Sequence, residues 1–390
     1  MDNFVFNNYT KIIFGKGTEN SVGEEIKRYG KKILLHYGGG SIKKNGVYDR
    51  VTKSLKAAGV DYVELGGVVP NPVVSLVRKG AALCKEENVE AVLAVGGGSV
   101  IDSAKAIALA AVYEGDAWDF HARRAVPERM LPLGTVLTIP ASGSESSDCS
   151  VITNEDGKIK RGLHHECMYP MFSIINPEIM YSLPKEQIAN GCSDIFAHLA
   201  ERYFTNTKGV EFTDRMIEAA MKTVIGNAKA MVDGSRDYDT WAQVVWAGTI
   251  AHNNLLNTGR VGDWASHNIE HELSAHYNIA HGAGLAIVFP AWMKYVFEHD
   301  ISRFVQFATR VFNIENDVFN PKSVAIKGIE AYSEFLASLG LPRTLSDVGI
   351  GGEKFELMAQ QSIEIGGGKQ GNFVELKEKD IIEILNLAKG

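Results

Sequence analysis

Short apolar runs and helix-like segments alternate through the first half of this 390-residue chain. Runs such as KKILLHY and EAVLAV have the length and apolar character of buried strands, and each is followed by a segment with helical periodicity. Strands that alternate with helices predict βαβ units, and therefore a mostly parallel sheet covered by helices. The pattern predicts an α/β domain and argues against an all-β or all-helical fold for this half.

The alternation stops near residue 184, after the segment MFSIINPEIMYSLP. Beyond it the apolar residues recur with the helical period, as in EFTDRMIEAAMKTVIGNAKAMV and ISRFVQFATRVF. A chain of this length also exceeds what a single core usually organises. We therefore expect two domains, an α/β domain over residues 1–182 and an all-helical domain over residues 183–390.

Composition and charge restrict the partners of the chain. The formal net charge of −7 argues against nucleic acid and anionic membrane surfaces as partners. No apolar run reaches the roughly 18 residues of a membrane span, and the N-terminal MDNFVFNNYT lacks the pattern of a secretion signal. The four cysteines form no CxxC pair, which is typical of reduced thiols. We expect a cytoplasmic protein.

Three loops of small and polar residues follow predicted strands, and together they suit a nucleotide. Gly97, Gly98 and Ser99 stand where a strand turns into a helix, and the free N–H groups of such a helix start favour a pyrophosphate. A bare GGGS also occurs in ordinary turns, and it is not the GxGxxG fingerprint of a standard Rossmann half. The other two loops, residues 38–41 and 138–144, resemble ordinary loops when taken singly.

The loop over residues 38–41 bears on the choice of coenzyme. A dinucleotide fold that binds NAD usually carries an acid at such a strand end, where it accepts hydrogen bonds from the ribose hydroxyls. Gly39 stands there instead, and Lys43 and Lys44 follow. Because this loop contains no acidic side chain that could repel the 2′-phosphate of NADP, it favours NADP. NAD is the alternative.

Four of the eleven histidines crowd into the stretch DWASHNIEHELSAHYNIAHGAG. His267 and His271 are four residues apart, so both project from one face of a helix. Upstream, Asp194 and His198 in ANGCSDIFAHLAERYF have the same spacing. The two pairs together offer a carboxylate and imidazoles, which are the donor types that Zn²⁺ and Fe²⁺ accept. A histidine pair at this spacing is, however, more often ordinary helix surface.

His281 joins such a site only if the chain turns back. On a straight helix it would lie about 21 Å from His267, too far to share one ion. Asn278 and Gly282 are helix stop signals, so the helix is expected to end between the two histidines. One carboxylate and three imidazoles could then meet at a single ion.

Four motifs taken together resemble the iron-containing alcohol dehydrogenase family, and within it the NADP-dependent butanol dehydrogenases and aldehyde reductases. The motifs are GGGSVIDSAKAIA, ASGSESS, ANGCSDIFAHLAERYF and DWASHNIEHELSAHYNIAHGAGLAIVFP, and the resemblance covers nearly the whole chain. It implies the dehydroquinate synthase-like fold of that family: a coenzyme domain, a helical metal domain, and the active site in the cleft between them. It also implies a homodimer.

The resemblance further implies a site, residue by residue. The expected ligands of a catalytic Fe²⁺ or Zn²⁺ are one aspartate and three histidines: Asp194, His198, His267 and His281. His271 matches a family histidine near the nicotinamide, which makes it a candidate proton relay, whereas His276 matches no functional position. The expected coenzyme contacts are Gly39, Gly40, Ser41, Asn71, Gly97, Gly98, Ser99, Asp102, Thr138, Ser142, Ser144 and Lys160.

The expected reaction is hydride transfer between NADP(H) and a small alcohol or aldehyde of the butanol type. An NAD-preferring polyol or diol dehydrogenase of the same family is an alternative. A lyase of the dehydroquinate synthase kind would have a glutamate as first ligand and a site rich in Lys and Arg, whereas Asp194 lies in GCSDIFAHLA, where His198 is the one basic residue. A non-catalytic nucleotide-binding protein would be expected to have lost a ligand, yet all four are present.

Overall fold

The protein is described by a computed structural model that covers all 390 residues. It divides into two compact units. The sheet unit comprises Asn7–Leu183 with Arg236–Val245, and the helical unit comprises Met1–Phe6, Pro184–Ser235 and Trp246–Gly390. No helix has the combination of length and apolarity that a membrane span requires. The functional assignment of residues 1–182 to the coenzyme and of residues 183–390 to the metal stays a prediction.

The sheet unit contains eight strands. In chain order they are β1 (Lys11–Phe14), β2 (Lys32–Gly38), β3 (Asp61–Val68), β4 (Ala91–Gly96), β5 (Leu133–Leu137), β6 (Cys149–Asn154), β7 (Ile159–His164) and β8 (Phe172–Ile175). Six of them form one parallel sheet in the order β1-β8-β5-β4-β2-β3. The remaining two, β6 and β7, form a separate antiparallel pair.

Five helices follow or precede these strands, in the βαβ arrangement that the alternation predicts. They are α1 (Val22–Ile26), α2 (Ser41–Lys44), α3 (Val47–Ala57), α4 (Val74–Glu86) and α5 (Gly98–Ala110). Strands β4 and β5 are buried at every residue, as expected of the central strands of a sheet with both faces covered. Helix α5 is also buried around most of its circumference, which explains why its sequence is nearly all apolar.

The rest of the chain is helical. Its helices are α6 (Lys185–Tyr203), α7 (Glu211–Val232), α8 (Tyr238–His252), α9 (Ala265–Tyr277), α10 (His281–Val296), α11 (Ile301–Val311), α12 (Pro321–Ser338), α13 (Phe355–Ile365) and α14 (Glu378–Lys389). The first residues of α8 belong to the sheet unit and its end belongs to the helical unit.

Aromatic side chains fill the core of the helical unit. Phe196 of α6 stacks on Tyr332 of α12 at 4.7 Å between ring centroids, and Phe204 contacts Phe304 of α11 at 4.6 Å. All four side chains are completely buried. Aromatic residues contribute the largest apolar areas in a protein core, so this cluster is expected to be the main hydrophobic contribution to the stability of the unit.

The predicted fold class is confirmed: a parallel α/β unit comes first along the chain and a helical unit follows. The segment EFTDRMIEAAMKTVIGNAKAMV coincides with α7. The β6–β7 hairpin was not anticipated, because its strands are partly polar and lack the continuous apolar run of the central strands.

Candidate metal centre and coenzyme loops

The turn between α9 and α10 brings His281 back toward the start of α9. Helix α9 ends at Tyr277, and Asn278 adopts the left-handed conformation with φ of 54°. Helix α10 then begins at His281. Asparagine tolerates this conformation better than other non-glycine residues, which is why it stops a helix. The expected break between His267 and His281 is therefore present.

Close packing of α10 on α6 places His281 beside Asp194. A Cβ atom at Gly282 would collide with the carbonyl oxygen of Asn190, so only glycine permits this approach. The hydroxyl of Ser193 donates to the carbonyl of Gly282 at 2.8 Å. Because Ser193 and Gly282 adjoin Asp194 and His281 in sequence, this contact fixes the separation of the two candidate ligands.

Asp194, His267 and His281 form a compact set of donors. The Nε2 atoms of His267 and His281 lie 3.9 and 3.7 Å from Oδ1 of Asp194. All three ligand atoms lie within 4.8 Å of one another. Donors at about 2.0–2.2 Å from one tetrahedral ion are separated by roughly 3.4 Å, so the set needs little adjustment to bind one.

His198 is buried next to this set but is not part of it. Its Nδ1 lies 2.9 Å from the backbone carbonyl oxygen of Asp194 and 3.1 Å from Oδ1 of the same residue. Its ring centroid is 4.6 Å from that of His267. With Nδ1 engaged by Asp194, the Nε2 atom of His198 is the ring nitrogen that remains for an ion.

Two buried glutamates orient the other two imidazoles. Oε1 of Glu201 lies 2.8 Å from Nδ1 of His267, and Glu270 forms a hydrogen bond with Nδ1 of His281. The Ser274 hydroxyl donates to Glu270. A carboxylate on Nδ1 fixes the tautomer in which Nε2 carries the lone pair, and this is the usual arrangement around metal-bound histidines.

Burial and charge fit a divalent cation. Asp194, Glu201 and Glu270 are each at most 5% exposed, and buried carboxylates are costly unless a positive charge or hydrogen bonds compensate them. The Nε2 atom of His267 is buried and has no hydrogen-bond partner. Burial, and then the neighbouring histidine rings, lower the pKa of His267 well below its ordinary value, so the ring is neutral as a metal ligand must be.

The remaining histidines of the stretch have different surroundings. His271 is partly exposed, and its ring centroid is 5.6 Å from that of His281; it also forms a second three-residue group with Glu270 and His281. His276 lies away from both groups and its Nε2 is 2.6 Å from Oε1 of Gln361. These positions leave His271, but not His276, beside the candidate centre.

Trp264 borders the same centre. It precedes α9 with φ of 71°, a conformation that is strained for a bulky side chain. Its backbone N–H donates to Glu201 at 2.6 Å, and its ring lies 5.4 Å from that of His267. Strain of this kind concentrates at functional sites, where the surrounding structure holds it in place.

In the sheet unit, most of the expected coenzyme residues follow four adjacent strands. The loops after β3, β2, β4 and β5 carry Asn71, residues 39–41, residues 97–99 and residues 138–144. Carboxyl ends of parallel strands meet at one edge of a sheet, and open α/β sheets bind their ligands outside that edge. Because these strands are neighbours in the sheet, residues up to about a hundred positions apart in the chain come to lie at the same edge.

The loop after β4 contains glycines because there is no room for side chains. A Cβ at Gly98 would collide with the hydroxyl of Ser142, and a Cβ at Gly97 would lie 3.0 Å from Ile139. Neither residue has a positive φ. Close packing, and not a left-handed backbone, is therefore the reason for glycine at these two positions.

Asp102 and Lys105 of α5 hold the loop that carries Ser144. The Ser144 hydroxyl donates to Asp102 at 2.5 Å. The completely buried ammonium of Lys105 donates to the carbonyls of Ser144, Ser147 and Cys149, each at 2.8 Å. The carboxylate of Asp102, expected among the coenzyme contacts, is therefore already engaged within the protein.

Asn71 and Lys160 are also brought together. The Lys160 ammonium donates to Oδ1 of Asn71 at 3.0 Å, although 89 positions separate the two residues. Asn71 has φ of 57°, and Lys160 is 5% exposed. Thr138 is likewise buried.

Glu201, Glu270 and Lys105 were not among the residues predicted from the sequence. Glu201 is seven residues after Asp194, and Glu270 is three residues after His267, so both lie on the helix faces of the candidate ligands. That periodicity is the signal that could have identified them. For Lys105, the only local signal was a charge inside an apolar helix.

Known proteins of one family are similar to both halves of this chain. The sequence profile of the iron-containing alcohol dehydrogenases matches residues 9–177, and the profile of the C-terminal part of the same family matches residues 188–389. The chain belongs to the iron-containing alcohol dehydrogenase family. Both halves of this family's proteins are thus represented, and the predicted family resemblance is confirmed.

Several relatives within the iron-containing alcohol dehydrogenases are similar over their whole length. A probable NADH-dependent butanol dehydrogenase of Bacillus subtilis is 44% identical over 99% of both chains. The NADPH-dependent aldehyde reductase YqhD of Escherichia coli is 36% identical over 94% of both chains. The crystal structure of NADH-dependent butanol dehydrogenase A from Thermotoga maritima superposes with a TM-score of 0.96, at 45% identity, over 100% of this chain and 99% of the other.

Proposed function

We propose that this chain transfers a hydride between a nicotinamide coenzyme and a small alcohol or aldehyde of the butanol type. The observation that carries the proposal is the donor set of Asp194, His267 and His281, with buried carboxylates behind two of its imidazoles. The chain belongs to a family of metal-containing dehydrogenases, and it retains every residue that the family resemblance assigns to the metal.

We propose that Asp194, His198, His267 and His281 bind one Fe²⁺ or Zn²⁺. The unpartnered Nε2 of His267 and the buried negative charge support this ligand set. When bound, the ion would act as a Lewis acid on the substrate oxygen, and the reduced coenzyme would supply the hydride. Zn²⁺ binds such sites more tightly than Fe²⁺, so the purified protein is expected to contain zinc whichever ion the cell uses.

The protein itself would orient the ligands and carry the proton. Glu201 and Glu270 hold the Nδ1 protons of His267 and His281, so both rings keep one orientation during turnover. His271, partly exposed and next to His281, would carry a proton between solvent and the substrate oxygen on one of its ring nitrogens.

We propose that the coenzyme occupies the loops after β3, β2, β4 and β5, with NADP(H) preferred over NAD(H). The N–H groups at the start of α5 would bind the pyrophosphate. Gly39 supports the preference, because a side chain at this position would meet nothing within 4 Å, and no acid faces the ribose from there. The named relatives include both NADH-dependent and NADPH-dependent proteins, so the preference must come from the chain's own residues.

We also propose that the protein works in the cytoplasm as a homodimer. The four cysteines are free thiols, which is typical of a reducing compartment. The dimer rests on the family resemblance alone, and light scattering after size exclusion would test it.

One experiment tests the proposed centre. Chelation should abolish the reduction of short aldehydes by NADPH, and Fe²⁺ or Zn²⁺ should restore it. His267→Ala should lose the metal, whereas the matched variant His276→Ala should keep both metal and activity. Equal metal content in the wild type and in His267→Ala would contradict the assignment.

A further inference from the structure

Lys43, next to the proposed ribose loop, contacts two tyrosines and a glutamate. Its backbone N–H bonds to the carbonyl of Gly40 at 3.1 Å, which places it one turn after the glycine loop. Its ammonium lies 3.4 Å from Oε2 of Glu64, and 4.9 and 4.5 Å from the ring centroids of Tyr37 and Tyr48. We call Tyr37, Tyr48 and Glu64 the Lys43 cage.

The cage is built from separate elements and is itself hydrogen-bonded. The Tyr37 hydroxyl of β2 donates to Oε2 of Glu64 at 2.7 Å, and the Tyr48 hydroxyl of α3 donates to Oε1 at 2.5 Å. Glu64 lies on β3, opposite Leu35 of β2. Both carboxylate oxygens therefore have fixed donors, and the negative charge stands at a defined place beside Lys43.

Glu64 carries that charge at neutral pH. Burial opposes its ionisation, but the hydrogen bonds from Tyr48 and Tyr37 and the charge of Lys43 outweigh burial and lower the pKa of Glu64 below its ordinary value. Cation–π contact with the two rings holds the ammonium in the same place. The side chains of Lys43 and Glu64 are still 47% and 32% exposed, so a ligand at the loop would be within reach of their field.

We propose that Glu64 limits the preference for NADP(H) by holding Lys43 in this ion pair. A free ammonium one turn after Gly40 would attract the 2′-phosphate, whereas the paired ammonium has its charge largely cancelled. The inference rests on the proposed function, which places the adenosine ribose at residues 39–41. It makes Glu64 a specificity-determining residue for the coenzyme, although none of the four family motifs contains it.

The test compares dissociation constants of NADPH and NADH, measured by fluorescence titration of the intact protein. In Glu64→Gln the NADPH preference should rise by roughly threefold to tenfold, as expected when a unit charge partly screened by water is released near a phosphate. In Lys43→Met it should fall below the wild-type value, because Glu64 then faces the phosphate unpaired. The double variant should return near the wild type.

Two matched controls separate the cage from general charge effects. Glu87→Gln removes another surface carboxylate, which pairs with Lys32 at 2.6 Å, and it should leave the preference unchanged. Lys44→Met removes the neighbouring ammonium, and Glu64→Gln should still increase the NADPH preference when it is combined with Lys44→Met. This increase in preference should become smaller at high salt.

The outcomes distinguish this inference from the proposed function. An unchanged NADPH preference in Glu64→Gln, or an equal rise of that preference in Glu87→Gln, would overturn the role of the Lys43 cage. Neither outcome would affect the proposed function. Failure of the wild type to bind either coenzyme would overturn the proposed function and this inference with it.

Discussion

Glu201 and His267 are joined twice, because Oε1 of Glu201 accepts hydrogen bonds from both the backbone N–H of His267, at 3.0 Å, and its Nδ1, at 2.8 Å. One carboxylate oxygen thereby fixes the start of α9 and the ring that it presents. The same glutamate binds the backbone N–H of Trp264 through its other oxygen. Position and tautomer of this candidate ligand are controlled by a residue 66 positions away.

Replacing the carboxyl group of Glu201 by an amide should weaken metal binding without unfolding the protein. Outer carboxylates of this kind typically contribute about tenfold to a hundredfold to metal affinity, so Glu201→Gln should lose affinity by that factor. The measurement is competition with a chelator, followed by metal analysis. Glu211→Gln, a change on the exposed start of α7, is the matched control and should bind the metal like the wild type. Unchanged affinity in Glu201→Gln would rule out its orienting role.

His271→Ala should keep the metal and lose turnover. General acid–base groups contribute about 10²–10⁴-fold, and since water can partly substitute, we expect kcat to fall by at least about tenfold. The readouts are metal content, kcat and the pH–rate profile of aldehyde reduction. An unaltered rate and profile would leave His271 with a structural role only. His276→Ala serves as the control on the same helix.

Gly39→Asp should reverse or nearly abolish the preference for NADPH. Two unit charges about 4 Å apart repel by about 4 kcal/mol at an effective dielectric of 20, and solvent should reduce this to roughly 1–3 kcal/mol, which is about tenfold to a hundredfold in affinity. The side chain fits, because nothing lies within 4 Å of its Cβ. Gly226→Asp, which adds the same charge at an open position on α7, is the control. The measurement is kcat/KM for both coenzymes with one aldehyde, and a wild type that favours NADH would show that another group selects the ribose.

The buried His36 should make the sheet unit sensitive to mild acid. Burial lowers its pKa from 6.5 to about 4, despite a hydrogen bond to the Leu65 carbonyl. The unfolded chain therefore takes up the proton first as the pH falls. The contribution of His36 to the free energy of unfolding is therefore complete above about pH 6.5 and declines as the pH falls toward about 4. The whole decline amounts to about 3 kcal/mol, of which about 2 kcal/mol is lost by pH 5.

Urea unfolding near pH 7.5 and pH 5 would measure this effect. His36→Gln should be less stable at neutral pH, because its contacts with Leu65 and Ser103 are altered, but its stability should fall less between the two pH values. His299→Gln, at an exposed position, should keep the wild-type dependence. Equal pH dependence in His36→Gln and the wild type would show that other groups cause the acid sensitivity.

Local periodicity carried most of what the sequence could predict. The spacing of Asp194 and His198, and the stop signal at Asn278, depend only on neighbours within a few residues, so the helices and the break before His281 were predictable. The alternation of strands and helices likewise predicted the parallel sheet.

Contacts between distant segments were not predictable in the same way. Lys105 interrupts an apolar helix, and the carbonyls that compensate its burial come from residues 39 to 44 positions later. Nothing local to Lys43 indicates that it pairs with Glu64, 21 positions further along the chain. Such pairs depend on sheet order and on how helices pack, which the pattern of one segment does not specify.

The Lys105 ammonium occupies, among three carbonyl oxygens, the kind of position that a bound potassium ion takes in other proteins. Because this ammonium is covalently part of α5, its hydrogen bonds to the loop over residues 144–149 do not depend on the binding of a dissolved cation. The conformational entropy of that loop is lost once, when the chain folds, and is not lost again in each catalytic cycle. If the coenzyme binds at this loop, as proposed, each new coenzyme molecule would meet a surface that is already ordered.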